Sequence, residues 1–276
     1  MKSELHALKL AIVPMDQVRM HERVDPQRVE RLEETIKQRG ILKNPILVAE
    51  DEGRFIVLDG ATRVTALGKI GSPHIVVQIV DYQSPFVELD IWHHAVVGIE
   101  TEELQDAILA LSDLQSASLA FEDLISRIDR RKTLFGLITP EGKCTAFNSS
   151  KDLSEQMEQL NKMVDCYIEK AEVHRTINLT LPDLRNQYPE LSALVLFPHF
   201  TPSEVIYCAH NQSKLPAGIS RHKVNGRALG LNVPLDILTG PQSIEEKNEW
   251  LNEMVSRRRH TNRVRIYAEP TLVFDE

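Results

Sequence analysis

The run FIVLDGATRVTALGKIG, residues 55–71, constrains the fold more than any other part of the chain. Phe55 to Leu58 are apolar and β-prone, and Asp59-Gly60 is turn chemistry. Val64, Leu67 and Ile70 then recur at helical spacing before a stop at Gly71. A strand that turns sharply into a helix places the unpaired N–H groups and partial positive charge of the helix start at a sheet end. Gly60 allows close backbone approach, and Thr62 and Arg63 offer side-chain donors. The segment fits a phosphate site, but Asp-Gly turns before helices are common, and read alone it fits an ordinary turn better.

Its neighbours alternate strand and helix. LKLAIVP (8–14) reads as a strand. VDPQRVERLEETIKQRG reads as a helix capped by Asp25, with Pro26 first inside, a stripe of Val29, Leu32 and Ile36, and Gly40 at its end. PILVAE and RFIVLD predict a hairpin around Asp51-Glu52-Gly53, and HIVVQIVDY predicts a further strand. This is a small α+β module ending near residue 82. Beyond it, TEELQDAILALSDL and SASLAFEDLISRI carry helical periods. LFGLITP and KCTAFN predict a hairpin around Pro140-Glu141-Gly142, and DLSEQMEQLNKMVDCYIEKA a helix. SRHKVNGRALGLNVPLDIL reads as strand–turn–strand bending at Asn225-Gly226. SIEEKNEWLNEMVSRRR reads as a helix with a Ser243–Glu246 capping box, and VRIYAEPTLVF as a closing strand. The expected fold class is α+β, with a first domain over 1–95 and a second, mixed α+β domain over 96–276.

Composition narrows the function. A net charge of −8, from 32 basic and 40 acidic residues, argues against a broad nucleic-acid-binding face. No apolar run reaches the ~20 residues that span a bilayer. Glu4 and His6 stand where a signal peptide needs an apolar core, so a cytosolic protein without a membrane partner is expected. Cys144, Cys166 and Cys208 lack metal-site spacing and read as reduced, buried thiols.

Four further stretches hold candidate groups. In MHERVDP, Glu22 precedes the Asp25 cap, where a loop carboxylate suits a general base, a magnesium ligand or plain solvation. In PAGISRHKVNGR, Ser220, Arg221 and His222 are consecutive, so in a strand the middle side chain opposes the other two. An Arg there suits a carboxylate or phosphate. In DIWHHAVV, Trp92, His93 and His94 suit core packing at a domain junction better than a metal or heme site. Arg257, Arg258, Arg259, Arg263 and Arg265 suit the C-terminal end of a helix dipole, or a nucleic-acid contact.

Taken together, VPMDQVRMHERVDP, KNPILVAEDEGRFIVLDGATRVTALGKIG and IVVQIVDY resemble the ParB/sulfiredoxin-like nucleotide-binding module. The HE loop and LPAGISRHKVNGRALGLNVPLDIL add a resemblance to the free L-serine kinases. That resemblance implies phosphoryl transfer from ATP or ADP, with Mg²⁺, to the hydroxyl of free L-serine, giving O-phospho-L-serine for cysteine or siderophore biosynthesis. By the same resemblance, Glu22 is the catalytic carboxylate and Asp59 a second catalytic carboxylate where phosphates and magnesium gather. Gly60, Ala61, Thr62 and Arg63 form the phosphate turn, and Ser220, Arg221 and His222 are the serine-recognition segment, with Arg221 on the serine carboxylate. Trp92 lines the amino-acid pocket. The family's turn reads D-G-x-H-R, and this chain departs from it at Thr62, which replaces the His. A sulfiredoxin needs a Cys where Ala61 stands. The alternative the resemblance allows is a nucleotide- or heme-responsive DNA-binding regulator, which the charge and the lack of a helix-turn-helix pattern disfavour.

Overall fold

The computed structural model describes residues 8–111, 114–149 and 152–265. The first module runs β1 (Lys9–Pro14), β2 (Val18–Met20), α1 (Pro26–Arg39), β3 (Ile41–Leu42), β4 (Ile46–Asp51), β5 (Arg54–Asp59), α2 (Ala61–Ile70) and β6 (His74–Val80). Its five-stranded sheet has the order β1-β6-β4-β5-β2, with β6–β4 and β5–β2 parallel and the other pairs antiparallel. The local signals are met here. Asp25 Oδ1 accepts from the Gln27 N–H at 2.8 Å, Gly40 ends α1 at φ 62°, and Gly71 ends α2 at φ 80°.

FIVL is apolar without alternation because β5 is covered on both sides. Val57 faces the core under the helices, whereas Ile56 and Leu58 face the core shared with the second domain. The same split places Ile46 and Val48 of β4 on one side and Leu47 and Ala49 on the other. Burying each larger apolar side chain here contributes on the order of 1.5–3 kcal/mol.

The chain continues through β7 (Val87–Ile91), β8 (His93–Val97), α3 (Thr101–Leu109), β9 (Gln115–Leu119), α4 (Phe121–Asp129), β10 (Phe135–Ile138) and β11 (Cys144–Asn148). Then come α5 (Leu153–Asp165), β12 (Glu172–Thr176), α6 (Leu181–Gln187), β13 (Leu191–Leu196), α7 (Pro202–His210), β14 (Ser220–Val224), β15 (Val233–Pro234), α8 (Leu235–Thr239) and α9 (Ile244–His260). An antiparallel six-stranded sheet, β12-β8-β13-β10-β11-β9, forms the second domain. β14 pairs with β7, and β15 with β3.

Three expectations are corrected. SASLA is not helical: it is edge strand β9, paired with β11, and the helix begins only at Phe121. The helix expected to run to Ala171 ends at Asp165. Asn225-Gly226 does not close a hairpin, since β14 pairs with the distant β7 and the chain returns as the short β15 and helix α8. The strand expected at VRIYAEPTLVF lies, beyond Arg265, outside the described residues.

The C-terminal segment, placed by sequence with the second domain, packs on the first sheet. Leu231, Val233, Leu238, Leu251 and Met254 join the core of Ile12, Val48 and Val57. Asn248 pins α9 to β1, accepting from the Ile12 N–H and donating to its carbonyl, both at 2.8 Å. Among the described residues, no helix is long and apolar enough to cross a membrane.

Candidate active site

Three segments meet at the end of the first sheet: the chain leaving β2, the turn from β5 into α2, and residues 215–221 leading into β14. The first and third are stitched together. Leu215 N–H donates to the His21 carbonyl at 2.9 Å and Arg23 N–H to the Leu215 carbonyl at 2.8 Å, forming a parallel bridge at Glu22. This stitching fixes Glu22. Its Oε2 accepts from the Gly218 N–H at 2.9 Å and lies 3.3 Å from Ser220 Oγ. Burial raises the Glu22 carboxyl from 4.5 to about 7, outweighing the Gly218 hydrogen bond and the attraction of Arg175; the Asp59 charge adds to the rise.

Behind Glu22 lies a buried hydrogen-bond chain. His21 Nδ1 is 2.6 Å from the Val57 carbonyl and Nε2 is 2.8 Å from Ser220 Oγ. Burial pushes His21 down to about 4, so the ring is neutral. A carbonyl only accepts, which places the ring proton on Nδ1 and leaves Nε2 an acceptor. Ser220 has one proton for two acceptors. Protonated Glu22 donates to Ser220, which donates to His21; ionised Glu22 competes with His21 for the Ser220 proton. His222 shares this face of β14, with Nε2 2.7 Å from Tyr82 Oη and its ring 5.6 Å from that of His21. Burial lowers His222 to about 3.

Arg221 points to the opposite face of β14, as alternation requires. Its guanidinium lies over the Trp92 ring, 4.3 Å from the centroid, with Asp90 Oδ2 at 3.5 Å. Trp92 N–H donates to the Ile219 carbonyl at 2.7 Å, extending the β7–β14 pairing toward the site. The segment Ser220–His222 is thus divided, with Ser220 beside Glu22 and Arg221 beside Trp92.

At the turn, Gly60 adopts φ 107°, closed to most side chains, and a Cβ there would come within 2.9 Å of the Arg63 guanidinium. Arg63 reaches back beneath the turn, donating to the Pro45 carbonyl at 2.6 Å and to Asp59 Oδ2 at 2.6 Å. No side chain caps α2, whose first N–H groups belong to Ala61, Thr62 and Arg63. Arg227 also donates to Asp59 Oδ2. Its loop is held by Gln78, which accepts from the Ala228 N–H at 2.8 Å and donates to the Gly226 carbonyl at 3.0 Å. Burial alone would raise the Asp59 carboxyl; Arg63 and Arg227 outweigh it and hold the group below its ordinary value. The result is a cationic rim around an open helix start, suited to phosphate oxygens.

Sequence reasoning brought Glu22, Asp59–Arg63 and Ser220 forward, and all lie in these three segments. It passed over His21, Gly218 and Arg227, although each stands inside a quoted stretch, and it passed over Arg175. His93 and His94 are buried and serve the core: His93 Nδ1 accepts from the Phe197 N–H at 3.1 Å, and His94 Nδ1 is 2.8 Å from Tyr167 Oη. Arg257 to Arg259 occupy the last turn of α9, where Arg258 donates to the Leu231 carbonyl at 2.7 Å. Cys144 and Cys208 are buried free thiols, and Cys166 is partly exposed.

Residues 1–88 match the ParB N-terminal domain family. Over 244 residues the chain is 28% identical to the ATP-dependent L-serine kinase SbnI of Staphylococcus aureus, covering 87% of this chain and 88% of that protein. The solved structure of SbnI with a C-terminal truncation superposes with a TM-score of 0.73 at 24% identity, covering 93% of this chain and 99% of that one. A free serine kinase in complex with AMP superposes with a TM-score of 0.70 at 20% identity, covering 84% and 94%. The chain therefore matches the ParB N-terminal domain family over its first 88 residues and is similar along most of its length, in sequence and in fold, to the free serine kinases.

Proposed function

We propose that the protein is a free L-serine kinase, which moves the terminal phosphoryl group of ATP or ADP to the hydroxyl of L-serine and releases O-phospho-L-serine. The observation that carries this reading is Glu22: a carboxylate fixed by Gly218 and Ser220, raised to about 7, and within electrostatic reach of Asp59 at the uncapped start of α2. The similarity to SbnI and to the free serine kinases supports it.

Phosphoryl transfer asks a protein mainly for positioning and charge neutralisation. The N–H groups of Ala61 to Arg63, the Thr62 hydroxyl and Arg227 hold the phosphates, and Arg63 keeps the turn in shape from below. Glu22 orients the serine hydroxyl and accepts its proton as the new O–P bond forms, a role typically worth 10²–10⁴-fold. Trp92 with Arg221 forms the amino-acid side of the pocket, Ser220 sets the orientation of Glu22, and His222 with Tyr82 packs beneath. The carboxylates also fit a hard cation. Asp59 uses Oδ2 for its guanidinium partners and Glu22 uses Oε2 for Gly218 and Ser220; among the described residues their second oxygens make no hydrogen bond. Mg²⁺ held there supplies charge neutralisation at the phosphate oxygens.

Residues 1–95 and 96–276 divide the labour, the first presenting the nucleotide turn and the second completing the serine pocket. The C-terminal segment braces the first sheet from behind. The test is a single reaction of protein, Mg²⁺, L-serine and either ATP or ADP, followed by phosphorus NMR. O-phosphoserine is expected with at least one nucleotide, and its absence with both refutes the reading.

A further inference from the structure

Arg175 acts on Glu22 by its charge, and among the described residues it is a guanidinium there to which the roles above give no task. It lies on edge strand β12, opposite His94 of β8, on the same strand face as Val173, which packs into the larger core. That direction carries its side chain to Gly218, where the guanidinium occupies the space a Cβ would need. Gly218 has φ 69° and gives its N–H to Glu22, so one glycine backbone binds the carboxylate and seats the arginine. Among the described residues Arg175 makes no hydrogen bond or ion pair. Its five N–H donors stay available, while Arg63, Arg221 and Arg227 are each engaged with an aspartate. Glu22, Asp59 and Asp25 attract its charge from a distance and Arg28 opposes it. An exposed guanidinium without a partner, set against the glycine that holds Glu22, is placed to meet an entering anion, and its planar fork binds carboxylate or phosphate through paired hydrogen bonds.

We propose that Arg175 binds an oxyanion of the acceptor side of the reaction, next to Glu22: the α-carboxylate of the amino acid or the phosphoryl group it receives. This rests on the kinase reading and adds a substrate-binding residue to it. The six-stranded sheet thereby contributes a side chain of its own directly to the site.

The test compares wild type with Arg175→Ala and Arg175→Lys. Calorimetric binding of O-phospho-L-serine, which carries both anions, is expected to weaken about tenfold or more in Arg175→Ala and to recover partly in Arg175→Lys, which keeps the charge but not the fork. Kinetics with L-serine and uncharged L-serinamide separate the two anions. If Arg175 holds the carboxylate, Arg175→Ala raises the KM for serine with little change in kcat and erases the preference for serine over serinamide. If it holds the phosphoryl group, kcat falls while KM and that preference persist. Phosphoserine binding, KM and kcat all within about twofold of wild type overturn the proposal. Absence of product from wild type overturns the kinase reading alone, because the binding arm still tests Arg175; wild type that neither turns over nor binds phosphoserine overturns both. If Arg175→Ala fails to fold by circular dichroism, Arg175→Lys carries the same comparisons.

Discussion

Replacing Glu22 by Gln separates what this carboxylate does for the reaction from what it costs the fold. Its acid form is favoured in the folded protein, with a pKa of about 7 against an ordinary 4.5. A raised folded-state pKa means that stability is fully present below 4.5 and is lost as pH rises toward about 7. At about 1.4 kcal/mol per tenfold, the full loss is about 3 kcal/mol, an upper figure because water entering the cleft screens part of it. Roughly 1.4 kcal/mol of that is already gone at pH 5.5 and nearly all of it at pH 8, so about 2 kcal/mol falls between these two conditions. Glutamine keeps an oxygen for the Gly218 N–H but never ionises. Urea unfolding at both pH values should therefore show the variant gaining on wild type by about 2 kcal/mol from pH 5.5 to pH 8. Over the same range its turnover should fall by about 10²–10⁴ while nucleotide binding persists. A stability difference, variant minus wild type, that stays constant or falls as pH rises would refute the assignment of a desolvated Glu22, and retained turnover would refute its role as base.

Other perturbations probe the remaining parts. In the wild type, kcat/KM should rise about tenfold per pH unit below about 7 and level off above it as Glu22 ionises; a profile flat from pH 5.5 to pH 8 contradicts Glu22 as the base. Arg227→Ala should raise the nucleotide Kd about tenfold by calorimetry with little change in Tm, since Gln78 still holds the loop; unchanged affinity would remove Arg227 from the phosphate rim. Gly60→Ala forces a side chain to φ 107° and against Arg63, costing about 2 kcal/mol and lowering Tm by roughly 4–8 °C. A wild-type melting curve for that variant would show that the turn does not need glycine.

What was legible in the sequence is what sequence-local physics determines. The Asp25 cap, the Gly40 stop, the Asp51–Gly53 hairpin and the Ser243–Glu246 capping box each depend on residues within a few positions, and each forms. The sense of FIVL was likewise local, though not that both its faces are covered by different domains. SASLA has no β-branched residue and pairs only because β11 offers an edge, a tertiary preference that overrides propensity. Asn225-Gly226 has hairpin chemistry, yet the strand before it finds its partner at Val87–Ile91, more than a hundred residues earlier. Arg175 sits in a strand with no motif, and only the fold brings it to Gly218.

This contrast has a mechanical consequence for the site. On the proposed reading the nucleotide half centres on a contiguous turn, Asp59 to Arg63, seated on one sheet and locked from below by the Pro45 carbonyl, with Arg227 joining from a loop that Gln78 holds. The proposed acceptor half draws on His21 and Glu22, on Arg175 and on Gly218 to Arg221, which meet only when β12, β14 and the residue 215 bridge are all in place. A contiguous turn keeps its geometry when a distant contact loosens, whereas an assembly of long-range contacts does not. Weakening the second sheet, for instance by truncating a buried contact of β8 with β13, therefore degrades the use of serine before it degrades the binding of nucleotide. The two halves of the reaction differ in how much of the fold they require.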